Sequence, residues 1–142
     1  MLVNNAGNAG ASGFGSRATF AESEPADWEP FLAVNLYGTM HCCHAVLPGM
    51  IDGGWGRIIT IVSDAGRTGD PGGAAYGAAK AGIAAFTQIC ALELGRIGVT
   101  ANCLAPAAIT RLVTPPINLG EAPGSIRLVF WHCMIAFEDG QD

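Results

Sequence analysis

Short strand-like runs alternate with two long helical stretches, and that alternation limits the folds open to this chain. Residues 1–5, MLVNN, read as the end of a buried strand, and residues 6–26, rich in Gly, Ala and Ser, read as loop. GRIITIVS, residues 56–63, is β-branched and bounded by turn residues, so it reads as a second buried strand. VTANCLAP, residues 99–106, is a third, stopped by Pro106. Between the first two, Phe31, Val34, Leu36, Met40, Val46 and Leu47 recur at three- and four-residue spacings, which predicts a helix over 27–47. Asp27 is its expected N-cap, Pro30 falls in its first turn, and Pro48, Gly49, Gly53 and Gly54 are expected to break it. After a Gly-rich loop at 64–73, the Ala-, Leu- and Glu-rich residues 74–95 predict a long helix ended by Gly95 or Gly98.

Strand–helix–strand–helix–strand implies an α/β fold with a parallel sheet of about three strands and two long crossover helices. With right-handed crossovers and strands in spatial order, both helices fall on one face of the sheet. The other face then lacks a cover from this sequence, whereas fully parallel sheets are covered on both. The chain is therefore expected to be part of a larger sheet. Residues 107–125 look irregular, and the apolar run 125–137 is compatible with a strand, a short helix or a segment with no native role.

Composition narrows the function classes. The chain has 142 residues, suited to one domain, and is half apolar with 13% charged residues, so it should fold. Its net charge is −5 and it has no basic run, which argues against a nucleic-acid partner. Five cysteines without regular spacing argue for a reducing compartment rather than a disulfide framework. The start has no signal-peptide pattern, and no apolar run approaches the roughly 20 residues of a membrane span. A soluble cytoplasmic chain is expected.

The residues that carry chemistry lie around the second helix. Tyr76 and Lys80 stand four apart and share a helical face. An ammonium beside a phenol favours the phenolate, and a tyrosine so tuned can give or take a proton near neutral pH. Packing and solubility explain many such pairs, so the pair alone is weak. Ser63 ends the preceding strand, thirteen positions before Tyr76. Strand C-terminal ends form the ligand crevice of a parallel sheet, where Ser63 and the start of the Tyr76 helix can meet. The bland reading of Ser63 is a serine bonded to its own backbone. Asn35 lies inside a helix, an unfavourable place for Asn unless its amide has a partner; bonding to neighbouring main chain is its bland reading.

The order Asn4-Asn5-Ala6-Gly7, Asn35, Ser63, Tyr76-x-x-x-Lys80, then Asn102 through Pro106 to Thr110 resembles the short-chain dehydrogenase/reductase family over roughly residues 1–112. Residues 113–142 read as a divergent C-terminal tail. The resemblance implies a partial Rossmann-type sheet, NAD or NADP as cofactor, and hydride transfer between the nicotinamide and a small-molecule alcohol or carbonyl. It makes Tyr76 the catalytic acid/base, with Lys80 binding the nicotinamide ribose and favouring the phenolate. It makes Ser63 the holder of the substrate oxygen, and Asn35 the holder of a relay water behind Lys80. Asn4, Asn5, Ala6 and Gly7 would shape the adenosine-ribose side of the cleft. Pro106, Ile109 and Thr110 would join the cofactor site, the last two at the nicotinamide amide. VSDAGR, residues 62–67, is similar to members acting on hydroxyacyl thioesters and on ring or secondary alcohols.

Some of the family pattern is missing. The family's TGxxxGxG turn, opening a helix on the cofactor pyrophosphate, has no counterpart; Gly7, Gly10, Gly13 and Gly15 follow what resembles the fourth family strand and open no helix. MLVNNAG is therefore expected to be an internal strand of a seven-stranded sheet, with Met1 an internal or misassigned start. Ala107 stands where the family usually has Gly, and 126–137 does not resemble the family's last strand; a shifted reading frame would explain this if another frame of the DNA restores the pattern. The alternatives to an oxidoreductase are a catalytically silent fragment, a helix-mediated interaction module, or one partner of a complementing pair. His41-Cys42-Cys43-His44 reads as helix packing rather than a metal site, which needs three or four converging ligands, and Trp28, Trp55 and Trp131 read as packing residues. The small residues of 74–85 permit close helix approach, and the resemblance implies a possible homo-oligomer through the two long helices.

Overall fold

The structure is a computed structural model and describes residues 1–7, 18–108 and 126–131. Four strands, β1 (Leu2–Asn4), β2 (Gly56–Ile61), β3 (Val99–Ala108) and β4 (Ile126–Trp131), form one sheet in the order β1-β2-β3-β4. The first three are parallel, with Leu2 opposite Ile58 and Gly56 opposite Val99. β4 runs antiparallel to β3, with Ala108 opposite Ile126. The α/β sheet with crossover helices is as expected. The addition is β4, which makes a strand of residues 126–131 within the run whose period left three readings open.

The first crossover starts two residues earlier than its periodicity indicates. Helix α1 spans Pro25–Leu32, and Asp27 is not its cap. Asp27 sits in the first turn and accepts the Glu24 backbone N–H at 2.9 Å. Pro25 takes the first helical position, where a missing N–H costs nothing. Pro30 then lies in the body of the helix. A five-residue π turn, Ala33–Tyr37, leads into α2 (Gly38–Asp52). Pro48 does not break α2; it lies on an exposed side, where water can serve the carbonyl that loses its helical partner. The break comes at Gly53 and Gly54, with Gly54 at a φ of +61°.

After β2 come a single turn, α3 (Ala65–Thr68), and the long α4 (Ala74–Leu94). Alternation along the strands shows which sheet face is covered. Ile58, Thr60, Val62, Val99, Ala101, Cys103 and Ala105 are buried, while the residues between them are half-exposed. The buried set packs under α2 and α4 with Cys43, Met50, Ile83, Cys90, Ala91 and Leu94. Both long helices therefore cover one face, as the connectivity requires. Among the described residues no helix covers the other face, and Val3 is 47% exposed there. Within the covered layer Thr87 donates to the Ile83 carbonyl (2.7 Å) and lies 3.0 Å from the Thr60 hydroxyl, so both buried hydroxyls are satisfied.

Gly98 locks the lower ends of β2 and β3 together. Its φ is +85°, and a Cβ there would collide with the Gly54 carbonyl oxygen. Its own carbonyl receives the Gly56 N–H at 3.4 Å and Arg57 Nη1 at 3.0 Å. Gly98→Ala is expected to destabilise the chain by about 3 kcal/mol, combining left-handed strain with a backbone clash. Urea unfolding measures this; a loss under about 1 kcal/mol would show that the turn relaxes freely.

Candidate active site

The three parallel strands deliver their C-terminal ends to one edge of the sheet. β1 ends into Asn5, Ala6 and Gly7, β2 into Val62 and Ser63, and β3 runs on through Pro106. This edge is where open α/β sheets form their ligand crevice. α4 begins at the same edge, which brings Tyr76 and Lys80 to it.

Lys80 is the anchor of the cluster. It is only 4% exposed, and its Nζ donates to the Ile61 carbonyl at 2.8 Å. Burial pushes its pKa down to about 8. Nζ lies 5.7 Å from the centre of the Tyr76 ring, so the pair inferred from helical spacing does converge. An ammonium has three N–H donors. Ile61 takes one, and among the described residues no further hydrogen-bond partner of Nζ is found.

Asn35 comes to the same place from the other crossover. It is fully buried inside the π turn. Its Nδ2 donates to the Phe31 carbonyl at 3.0 Å, and its own carbonyl receives the Thr39 hydroxyl at 3.1 Å. The bland reading of main-chain bonding is thus met on the amide nitrogen side. The amide oxygen faces elsewhere. A Cβ placed on Gly7 would stand 3.1 Å from Asn35 Oδ1 and 3.4 Å from Lys80 Nζ. Gly7, Asn35 and Lys80 therefore surround one small space that any side chain at position 7 would fill. Polar atoms around a space left by a glycine can hold a water or a single ligand hydroxyl.

Ser63 lies just beyond β2, half-buried. Its Oγ receives the Ala65 N–H at 3.3 Å, so its local backbone bond is made, and its hydroxyl hydrogen remains to donate. The turn that follows is pressed onto α4. A Cβ on Gly66 would lie 2.7 Å from the Ala81 nitrogen, and one on Gly77 would lie 3.0 Å from the Ala65 carbonyl oxygen. These two glycines let the Ser63 turn sit beside the Tyr76 end of α4, and sequence reading noted Gly77 only as a small residue. Phe31 also escaped it. Its ring meets the Tyr76 ring edge-on, 6.3 Å between centres at 73°.

Asn4 is buried behind the cluster and its Nδ2 reaches Cys43 Sγ at 3.3 Å, tying the end of β1 to α2. Asn5 and Ala6 are exposed beside Gly7, and Pro106 is exposed at the crevice edge. Ile109 and Thr110 lie outside the described residues. In the His41–His44 segment Cys43 is buried under the helix, while His41, Cys42 and His44 are exposed and the two histidines line one cavity with Tyr37, Met40, Leu47 and Phe86. Among the described residues no three His, Cys, Asp or Glu side chains are grouped to hold a metal ion. Cys42, Cys43 and Cys90 are free thiols. Trp28 packs on Phe20 (4.9 Å between ring centres), but Trp55 corrects its reading as a packing residue, being 56% exposed with Arg57 stacked 5.0 Å above it. Trp131 is described only as part of β4. No helix among the described residues is long and apolar enough to cross a membrane.

A parallel sheet whose strand C-terminal ends carry a serine, a tyrosine–lysine helix and a buried asparagine has the layout of a dinucleotide-binding α/β domain. The family model for short chain dehydrogenases matches residues 1–120, and the chain belongs to that family. It is 40% identical over 119 residues to D-beta-hydroxybutyrate dehydrogenase of Cupriavidus necator, a match covering 83% of this chain and 44% of that protein. It is 44% identical over 126 residues to cyclohexanol dehydrogenase of a Rhodococcus species, covering 86% of this chain and 46% of that one. Among solved structures, gluconate 5-dehydrogenase from Burkholderia cenocepacia, in complex with NADP and tartrate, superposes with a TM-score of 0.65 at 35% identity, over 72% of this chain and 38% of that one. An NAD+-bound xylitol dehydrogenase gives 0.67 at 36% identity, over 74% and 38%. The chain thus spans less than half the length of these relatives.

Proposed function

We propose that this chain carries the proton-transfer half of an NAD- or NADP-dependent oxidoreductase that interconverts a small alcohol and its carbonyl. The supporting observation is the convergence of Lys80, Asn35 and Gly7 beside Tyr76 at the strand-end crevice. A bound nicotinamide would supply the hydride acceptor or donor. The N–H donors of Lys80 not engaged by Ile61 would hold the nicotinamide ribose. The Ser63 hydroxyl would donate to the substrate oxygen and stabilise charge developing there. Tyr76 Oη would take the alcohol proton as hydride leaves carbon, and return it in the reverse direction. Asn35 Oδ1 would hold a water behind Lys80. Asn5, Ala6 and Gly7 would shape the adenosine-ribose side, with Pro106, Ile109 and Thr110 completing the nicotinamide side.

Two dehydrogenases among the relatives are named for hydroxybutyrate and cyclohexanol, both secondary alcohols, which makes secondary alcohols the first class to screen. A reducing, cytoplasmic setting suits the free thiols. Pairing of two copies through the outer faces of α2 and α4 belongs to the same reading, since Met40, Ile89 and Leu92 are exposed there. A silent interaction module is less favoured, because it leaves a nearly fully buried ammonium without a task.

Titration of the purified chain with NADH and NADPH tests the reading. Saturable energy transfer from tryptophan to nicotinamide is expected, followed by oxidation of secondary alcohols. Folded protein that binds neither nucleotide and oxidises none of them would remove it. Sedimentation equilibrium on the same sample tests the pairing, which a monomer at all concentrations excludes.

A further inference from the structure

We infer that Phe31 is a positioning residue that holds the Tyr76 ring and the Asn35 amide in register with each other; this rests on the proton-transfer reading above. Phe31 touches both groups with different parts of itself. Its ring meets the Tyr76 ring edge-on at 6.3 Å and 73°, the favourable arrangement for two aromatic quadrupoles. Its carbonyl receives Asn35 Nδ2 at 3.0 Å. The π turn begins two residues later, and Asn35 within it reaches back to this carbonyl. π turns inside α-helices frequently mark functional positions. α4 and the α1–π turn–α2 segment are separate crossovers, and here a single residue of α1 contacts the tyrosine of the one and the asparagine of the other.

The contact matters because Tyr76 sits in the first turn of α4, half-buried, with Lys80 one turn further along the same helix face. A phenol that must meet a substrate oxygen within hydrogen-bond distance has to keep its ring orientation. Displacement of a reacting group by about 1 Å lowers rates by roughly a hundredfold. The aromatic edge of Phe31 limits that motion, while its carbonyl fixes which end of the Asn35 amide faces Gly7 and Lys80. A leucine of similar bulk keeps the carbonyl and removes the aromatic edge.

The chain has two tyrosines, Tyr37 and Tyr76, which makes the test direct. Incorporated 3-fluorotyrosine gives two fluorine resonances, assigned with Tyr37→Phe. In Phe31→Leu the Tyr76 resonance is expected to shift and sharpen, as the ring gains freedom, while the Tyr37 resonance stays in place. Phe31→Trp, which keeps an aromatic edge, is expected to restore a broad, shifted Tyr76 signal. An unmoved Tyr76 resonance in folded Phe31→Leu overturns the inference. Should that variant fail to fold, ring-to-ring Overhauser contacts between Phe31 and Tyr76 in the unsubstituted chain decide it: their presence supports the inference and their absence overturns it. In turnover, kcat is expected to fall about tenfold with KM little changed. Turnover that survives Tyr76→Phe defeats the proton-transfer reading itself; loss in Tyr76→Phe with full kcat in Phe31→Leu defeats only the role of Phe31.

Discussion

Tyr76→Phe is expected to lower turnover about a thousandfold while leaving nucleotide binding within about threefold of the unsubstituted chain. The magnitude is that of a positioned acid/base, which contributes roughly a hundred- to ten-thousandfold. The asymmetry follows from the geometry. Phenylalanine keeps the ring, so it keeps the edge contact with Phe31 and the ring that lies 5.7 Å from Lys80 Nζ. It removes only Oη, the atom assigned to the proton. Lys80 remains buried on the Ile61 carbonyl, so the groups assigned to the ribose stay in place. Steady-state rates with a secondary alcohol, beside a fluorescence titration with the nucleotide, give both numbers. Equal losses in binding and turnover would instead make Tyr76 a structural member of the crevice.

Much of this site was legible because its parts obey short-range rules. Tyr76 and Lys80 share a face through helical spacing alone, and Ser63 is placed by where a β-branched run stops. The alternation of strands and helices was enough to put both long helices on one face. What escaped the sequence depends on contacts between elements. Asp27 looked like a cap because it precedes a helical pattern; it is instead the first-turn acid that accepts the Glu24 backbone N–H. Asn35 was noticed as misplaced, but the π turn that accommodates it has no signature in composition. Pro48 reads as a breaker in isolation and is tolerated because it lies on an exposed side of α2. Gly66 and Gly77 matter only because α4 and the Ser63 turn touch there. Strand β4 lies in a run whose alternation is weak, and pairing with β3 selects its state.

Lys80 should set stability and activity against each other as pH rises. Its folded pKa of about 8 lies below the ordinary lysine value of 10.5, the cause being burial. Below pH 8 the folded chain holds a charged, buried ammonium, which the unfolded chain solvates more favourably. Between the two pKa values the unfolded state binds the extra proton, so folding stability rises with pH across that window. The gain from pH 7 to pH 10 is about 2 kcal/mol by linkage. Lys80→Met lacks this group, so its urea-unfolding free energy should miss that rise; subtracting the two series cancels every other titrating group. Activity runs the other way. The role assigned to Lys80 needs its ammonium, so turnover should decline above about pH 8 as stability improves, and Lys80→Met should lose nucleotide affinity at every pH. Parallel pH series of unfolding in the two chains would refute the burial argument. The buried ammonium beside Tyr76 weakens the fold while it is charged, and the proposed role at the nicotinamide ribose would give that charge a use.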